Sequence, residues 1–100
     1  VEGTRKKAAI TRQVLRLEPW DFMAQVFTET HCVGHQCWHL HDPTHPAYDA
    51  ELARAGYDPL RDVYVAVDQA IASILEDAGD ALVMVMTAHG MGSFYGAQFM

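Results

Sequence analysis

A helix with clear start and stop signals lies in the second half of the chain. Asp58 suits the N-cap, Pro59 suits the first helical position, and Gly79 suits the position just after a helix end. Apolar residues between them recur every three or four positions, which predicts an amphipathic helix over about residues 59–78. Its apolar positions are Leu60, Val63, Tyr64, Val67, Ile71, Ile74, Leu75 and Ala78. Such a helix must pack its apolar stripe against another element.

Residues 22–28 and 81–87 are short, mostly apolar segments, one on each side of this helix in sequence. Their length and composition are typical of strands buried on both faces of a sheet. A strand, a long connection containing a helix, and a second strand form a βαβ unit, whose strands are parallel. We therefore expect an α/β fold, a fragment of a parallel-sheet sandwich. Met84, Met86 and Met91 are expected to fill its core.

Another helix is expected near the N-terminus. Thr4 is a candidate N-cap, and Pro19 disfavours the helical conformation at the residue before it. The helix is therefore predicted over about residues 5–17, with one apolar side packed on the rest of the domain. That side is expected to hold Ile10, Val14 and Leu17.

The length and charge of the chain limit what it can be. Its 100 residues are enough for one small domain at most. The formal net charge of −6 argues against a nucleic-acid polymer as partner. No apolar run approaches the ~20 residues of a transmembrane helix, so no membrane span is expected. Because the chain starts at Val1 and ends in apolar sequence, we expect it to be a piece of a larger domain.

Cys32 and Cys37 are the two cysteines of the chain. Their C-x4-C spacing fits neither a zinc knuckle nor a redox C-x-x-C motif, and two cysteines do not make a disulfide scaffold. We interpret them as small buried thiols. Unpaired thiols indicate a reducing compartment, which favours the cytoplasm as the location.

Histidines are concentrated between the first apolar segment and the long helix. His31 and His35 are four residues apart, so on a helix they share one face, at a spacing that suits zinc. His89 follows the second apolar segment. Because the carboxyl ends of parallel strands meet at one edge of a sheet, we expect His89 to approach the pair. Surface histidines that bind no metal are the alternative interpretation of the same spacing.

The other histidines of the stretch, His39, His41 and His45, are interpreted as structural or solvent-exposed groups. Asp42 directly follows His41 and is a candidate to orient its ring. No threonine, serine or cysteine near the ends of the predicted strands has a recognisable activating arrangement. The sequence therefore predicts no nucleophile.

Two motifs, one around His31 and His35 and a later one around His89, resemble motifs that occur in the same order in the alkaline phosphatase superfamily. The resemblance is greatest to its type I phosphodiesterase/nucleotide pyrophosphatase branch. Residues 29–35 (ETHCVGH) resemble the E-x-D-x-x-G-H segment of that branch, and residues 87–92 (TAHGMG) resemble its S-D-H-G-M segment. The resemblance covers about residues 20–96. It implies that the chain is the C-terminal part of a single catalytic domain of this superfamily.

The resemblance also implies a metal site. His35 matches a ligand of one metal ion, His89 matches a ligand of a second, and His31 stands where the branch has an aspartate ligand of the first. Ala88 stands where another aspartate ligand is usual, and alanine has no ligand atom. The implied cofactor is a divalent metal, zinc, as one or two ions. The nucleophilic Thr or Ser belongs to an earlier strand, so these residues alone are expected to be inactive.

Three hypotheses for function follow. The first is a metal-dependent hydrolase of phosphoric esters, either phosphodiesters or nucleotide pyrophosphates, in which Glu29 or Asp42 could replace a missing carboxylate. The second is a non-catalytic relative, or a metal- or ligand-binding domain on the same scaffold, which Ala88 favours. The third is a sulfatase-like hydrolase of sulfuric esters. The expected partner is a small phosphate or sulfate ester, and the sequence does not predict an oligomeric state.

Overall fold

The computed structural model of the protein describes residues 1–87 and 89–92, and it is helical over most of that part. The helices in the described residues are α1 (Glu2–Leu17), α2 (Glu29–His41), α3 (Ala50–Arg54) and α4 (Pro59–Glu76). α1 and α2 both pack on α4, and the short α3 packs on α2. α4 is therefore the central element, and α2 carries the histidine stretch on it.

The local signals at the ends of α4 act as the sequence predicts. The Asp58 side chain accepts a hydrogen bond from the backbone N–H of Arg61, and Pro59 occupies the first turn. After the helix ends at Glu76, Gly79 adopts a φ of 62°, in the left-handed region that favours glycine. The predicted helix is confirmed and ends two residues before position 78.

The predicted apolar side of α1 is wrong. Ile10 is 60% exposed and Leu17 is 76% exposed, whereas the buried residues of α1 are Thr4, Ala8 and Thr11. These small side chains allow α1 to approach α4, whose own buried side chains at the contact are short. Thr4 lies inside the helix, fully buried, and so does not serve as its N-cap.

Ion pairs join the end of α4 to α1. Arg12 Nε donates to Asp77 Oδ2 at 2.6 Å, and Arg16 Nη2 lies 3.0 Å from the same oxygen. The hydrogen bond from Arg12, with a smaller contribution from Arg16, holds the pKa of Asp77 below its usual value. The contact between the helices thus combines small apolar side chains with a charged cluster at one end.

The predicted α/β fold is not found. In residues 1–87 and 89–92 there is no strand, and both 22–28 and 81–87 lie outside helices and strands. Most of their large apolar side chains are exposed, Leu82 to 94%, although Phe27 is half-buried, and Met84 and Met86 fill no core. Strands buried on both faces need covering layers on both sides. Here α1 and α2 pack on α4 and cover part of its apolar stripe, including Leu60 and Val63, while Tyr64 and Leu75 stay exposed. Helix–helix packing thus takes the place of a βαβ unit.

The chain is less compact than a typical domain of its length, and its described part has a small apolar core. The radius of gyration is 16.7 Å, whereas a compact domain of 100 residues has one of about 13 Å. None of the described helices is long and apolar enough to cross a membrane. The buried apolar side chains are Ala8, Leu60, Val63, Ala66 and Ala70.

Candidate functional site

His31 and His35 face each other on one side of α2, one helical turn apart. Their Nε2 atoms are 3.1 Å apart, and their ring centroids are 4.5 Å apart with the planes at 81°. The two rings are therefore in contact through their Nε2 atoms and are not stacked face to face. At this distance either one nitrogen donates a proton to the lone pair of the other, or both lone pairs point to a shared cation. Both side chains are exposed. We call these two residues the histidine pair.

His89 lies beside the pair. Its ring centroid is 6.0 Å from that of His31, with the planes at 77°. His89 Nδ1 is 2.9 Å from the carbonyl oxygen of Gly90. A carbonyl oxygen only accepts hydrogen bonds, so Nδ1 carries the proton in this contact and a neutral ring presents its lone pair at Nε2. The structure thus brings together the three residues that the sequence singled out.

The separation within the histidine pair suits two ligands of one zinc ion. Zn–N bonds of about 2.0–2.1 Å in a tetrahedron place two ligating nitrogens about 3.3 Å apart, and the Nε2 atoms of His31 and His35 are 3.1 Å apart. In the described residues, however, no three His, Cys, Asp or Glu side chains form a set that could hold a metal ion. His89 is near the pair without completing such a set.

Glu29, at the start of α2, is engaged by Lys7 of α1. Lys7 Nζ lies 2.9 Å from Glu29 Oε1, donates to the carbonyl oxygen of Val26 at 3.2 Å, and sits 5.6 Å from the centroid of the Phe27 ring. Partial burial would raise the pKa of Glu29, but hydrogen bonds from Lys7 and from backbone N–H groups outweigh it and lower the pKa. This ionised carboxylate anchors α2 and is not brought to the histidine pair.

The carboxylate that contacts His41 Nδ1 belongs to Asp58, whereas the sequence suggested Asp42 for this role. Asp42 Oδ2 accepts from the indole N–H of Trp38 at 3.2 Å, and its Oδ1 accepts from the backbone N–H and the hydroxyl of Thr44. His41 Nδ1 instead lies 2.8 Å from Oδ2 of Asp58, the N-cap of α4. The Asp42 carboxylate is thus occupied at the far end of α2, away from the histidine pair.

The remaining sequence-based assignments concern two further histidines, the two cysteines and Ala88. His39 and His45 have ring centroids 5.9 Å apart, and His45 Nδ1 accepts the backbone N–H of Ala47. Cys32 is exposed, so only the half-buried Cys37 approaches the expected environment of a small buried thiol. Ala88, the alanine at the expected aspartate position, lies outside the described residues.

Sequence reasoning missed one contact at the site. Gly34 is buried in the middle of α2, and a Cβ atom built on it would overlap the Sδ atom of Met91. A signal for this contact was present, because a glycine inside a helix costs about 1 kcal/mol relative to alanine and usually has a packing reason. Met91 was expected to fill a sheet core; it fills this space on α2 instead.

The match to a known family can now be set beside this geometry. A sequence model described as type I phosphodiesterase / nucleotide pyrophosphatase matches residues 2–98. The chain belongs to this family. The resemblance inferred from the two histidine motifs is therefore confirmed, and the chain is a member of a family of phosphoester hydrolases. Searches of curated proteins and of solved structures found no match.

The family match covers every residue of the site. Both the α2 segment with His31 and His35 and the segment around His89 lie within residues 2–98. The matched region thus includes two segments that are far apart in sequence and whose histidine rings lie side by side. The place where these segments meet is the best candidate for the functional site.

Proposed function

We propose that this chain supplies part of the metal site of a hydrolase that acts on phosphoric esters, phosphodiesters or nucleotide pyrophosphates. In this proposal His31 and His35 hold one divalent ion, zinc, and His89 belongs to the same site. The observation that carries it is the Nε2–Nε2 distance of 3.1 Å in the histidine pair. When bound, zinc would polarise a phosphoryl oxygen as a Lewis acid.

The chain's own residues support this role in two ways. α2 fixes the histidine pair on one face because residues four apart on a helix are neighbours. The carbonyl of Gly90 holds the proton of His89 on Nδ1, which leaves Nε2 as the ligand atom. In this proposal zinc would take the place of any proton shared by the two Nε2 atoms of the pair, because imidazole binds a metal through an unprotonated nitrogen.

Zinc binding to the chain tests the proposal directly. We expect the protein, freed of metal by chelation, to bind zinc, and His31→Ala or His35→Ala to weaken the affinity at least about 100-fold. That loss should exceed the 10–100-fold typical of residues that only orient a ligand. Competition with a chromogenic chelator measures the affinity.

His39→Ala is the matched control. It makes the same change on the same helix, at a ring that contacts His45 and not the histidine pair, and should leave the zinc affinity within about twofold. Equal losses in all three variants would contradict the proposal, because they would indicate diffuse binding to a histidine-rich surface. A phosphodiester and a sulfate ester, offered to the whole protein that contains these residues, then separate phosphodiesterase from sulfatase chemistry.

A non-catalytic relative is the second candidate. Ala88 favours it, since the family motif has a ligating aspartate there and alanine has no donor. Loss of a carboxylate leaves the positive charge of a dication less compensated, which weakens metal binding. This candidate predicts no stoichiometric zinc after equilibrium dialysis and elemental analysis. One bound zinc per chain would exclude the candidate in which this chain is a binding module without metal.

A further inference from the structure

We infer that Gly34 is a positioning residue: its missing side chain lets Met91 pack against α2, and this contact holds His89 beside the histidine pair. The inference rests on the proposed function for its effect on metal binding. Gly34 has no side chain that could bind a metal, so its role at the histidine site would be to position other residues.

Gly34 differs from the other described glycines in what fills the space of its absent Cβ. A Cβ atom on Gly34 would overlap Met91 Sδ and lie 3.1 Å from Met91 Cε. At Gly3, Gly90 and Gly92, nothing lies within 4 Å of such an atom. Gly34 is also the buried residue of α2. The thioether of Met91 therefore occupies the space that any side chain at position 34 would need.

This contact lies where it can control His89. Met91 is two residues after His89, and Gly34 lies between His31 and His35 on α2. The segment 89–92, which we call the 89–92 loop, thus meets α2 at the Met91–Gly34 contact and at the His89–His31 rings. The hydrogen bond of His89 to Gly90 is internal to the loop and does not attach it to α2. Packing of Met91 is the contact that sets the distance between His89 and the pair.

A purely structural role for Gly34 makes a different prediction. Alanine is the better helix former, so Gly34→Ala would stabilise α2 if the space were open. With Met91 in place, the added methyl group must push the 89–92 loop away from α2 or deform the helix. Whether Gly34→Ala helps or harms the packing of the loop on α2 therefore depends on the residue at position 91. An effect of helix propensity alone would be the same whatever residue stands at position 91.

A double-mutant cycle tests this dependence, using the wild-type chain, Gly34→Ala, Met91→Ala and the double variant. We expect Gly34→Ala to lower the zinc affinity at least about tenfold with Met91 present, and to have less than a twofold effect once Met91 is alanine. Gly3→Ala is the control for the same change in a helix with open space around it, and it should leave the affinity unchanged. Equal effects of Gly34→Ala in both backgrounds would overturn the inference.

NMR of the metal-free protein gives a readout independent of zinc. We expect cross-peaks between the Met91 methyl group and Gly34 in the wild type, and shifts of the His89 ring resonances in Gly34→Ala but not in Gly3→Ala. Unmoved His89 resonances in Gly34→Ala would overturn the positioning role even if zinc binds. If the wild type fails to bind zinc while these shifts are seen, the proposed function fails and the positioning role stands.

Discussion

The α1–α4 contact and the contact of α2 with the 89–92 loop both depend on small residues, but they differ in what surrounds them. At the α1–α4 contact, the small residues Ala8, Ala66 and Ala70 are buried, and Arg12 pairs with Asp77 at one end. At the contact of α2 with the 89–92 loop, Gly34 gives the room. In each case a small residue, alanine at the first contact and glycine at the second, allows close approach. The first contact buries its small residues, whereas the second leaves exposed imidazoles around it.

The difference separates stability from chemistry. Residues at the α1–α4 contact lie among the buried side chains of a small core, so substitutions there should act on the free energy of unfolding. The histidine pair and His89 are exposed, so their removal deletes little buried surface. Substitutions in the two regions should therefore act on different properties, the free energy of unfolding measured without metal and the zinc affinity that we propose. Variants of α4 test whether they are independent.

The largest effect on stability is expected from Leu60→Ala. Leu60 is buried on α4, and truncation of a buried leucine costs about 2–5 kcal/mol. Chemical denaturation should show this loss, while the zinc affinity of the folded protein stays unchanged. Leu75→Ala is the matched control, because Leu75 is exposed on the same helix and should change stability by no more than about 0.5 kcal/mol. A large loss of zinc affinity in folded Leu60→Ala would break the separation.

A smaller effect is expected at the N-cap of α4, where α4 contacts the C-terminal end of α2. Asp58 caps α4 and contacts His41 at the end of α2. Partial burial opposes ionisation, but the backbone N–H of Arg61 and the His41 ring outweigh it and keep the pKa of Asp58 low. Asp58→Ala removes both contacts and should cost about 1 kcal/mol in the free energy of unfolding.

Asp58→Asn divides that cost between the cap and the charge. Asparagine caps helices about as well as aspartate, so this variant retains the bond to the Arg61 N–H and loses only the charge facing His41. Thermal unfolding of the three proteins measures the division. An asparagine variant as unstable as the alanine variant would show that the contact with His41, and not the cap, stabilises this junction.

Local signals explain what the sequence predicted correctly. The caps and apolar spacing of α4, and the shared face of His31 and His35, depend on residues within a turn or two of each other. The side of α1 that packs depends on its partner, and Ile10 became exposed because α4 accepts the small residues instead. The segments 22–28 and 81–87 have strand-like composition, but a strand needs a partner with which to pair, and composition does not supply one.

His89 shows a correct expectation reached for a wrong reason. We expected it to approach the histidine pair at the edge of a parallel sheet, yet the described residues contain no sheet, and its ring lies 6.0 Å from that of His31. The contact that accounts for its place is between Met91 and Gly34. A contact between residues this far apart in sequence has no periodic pattern from which to predict it. The predicted sheet and the family motifs both linked the two segments in advance, and of these two reasons the family match is confirmed.

The smallest effect, and the one confined most clearly to the α1–α4 contact, is a pH dependence from Asp77. Arg12 and Arg16 lower the pKa of Asp77 in the folded chain, so the unfolded chain binds the proton more readily. The stabilisation is therefore fully present above the unfolded pKa of about 3.9 and is lost as the pH falls through the lower, folded pKa. Asp77→Asn should lower the melting temperature at pH 7, and the difference from the wild type should shrink as the pH falls from about 4 and vanish below the folded pKa of Asp77. Asp68→Asn, at an exposed position of α4, should leave the wild-type profile in place. A constant difference between wild type and Asp77→Asn across this range would show that packing, and not the charge of Asp77, joins these two helices.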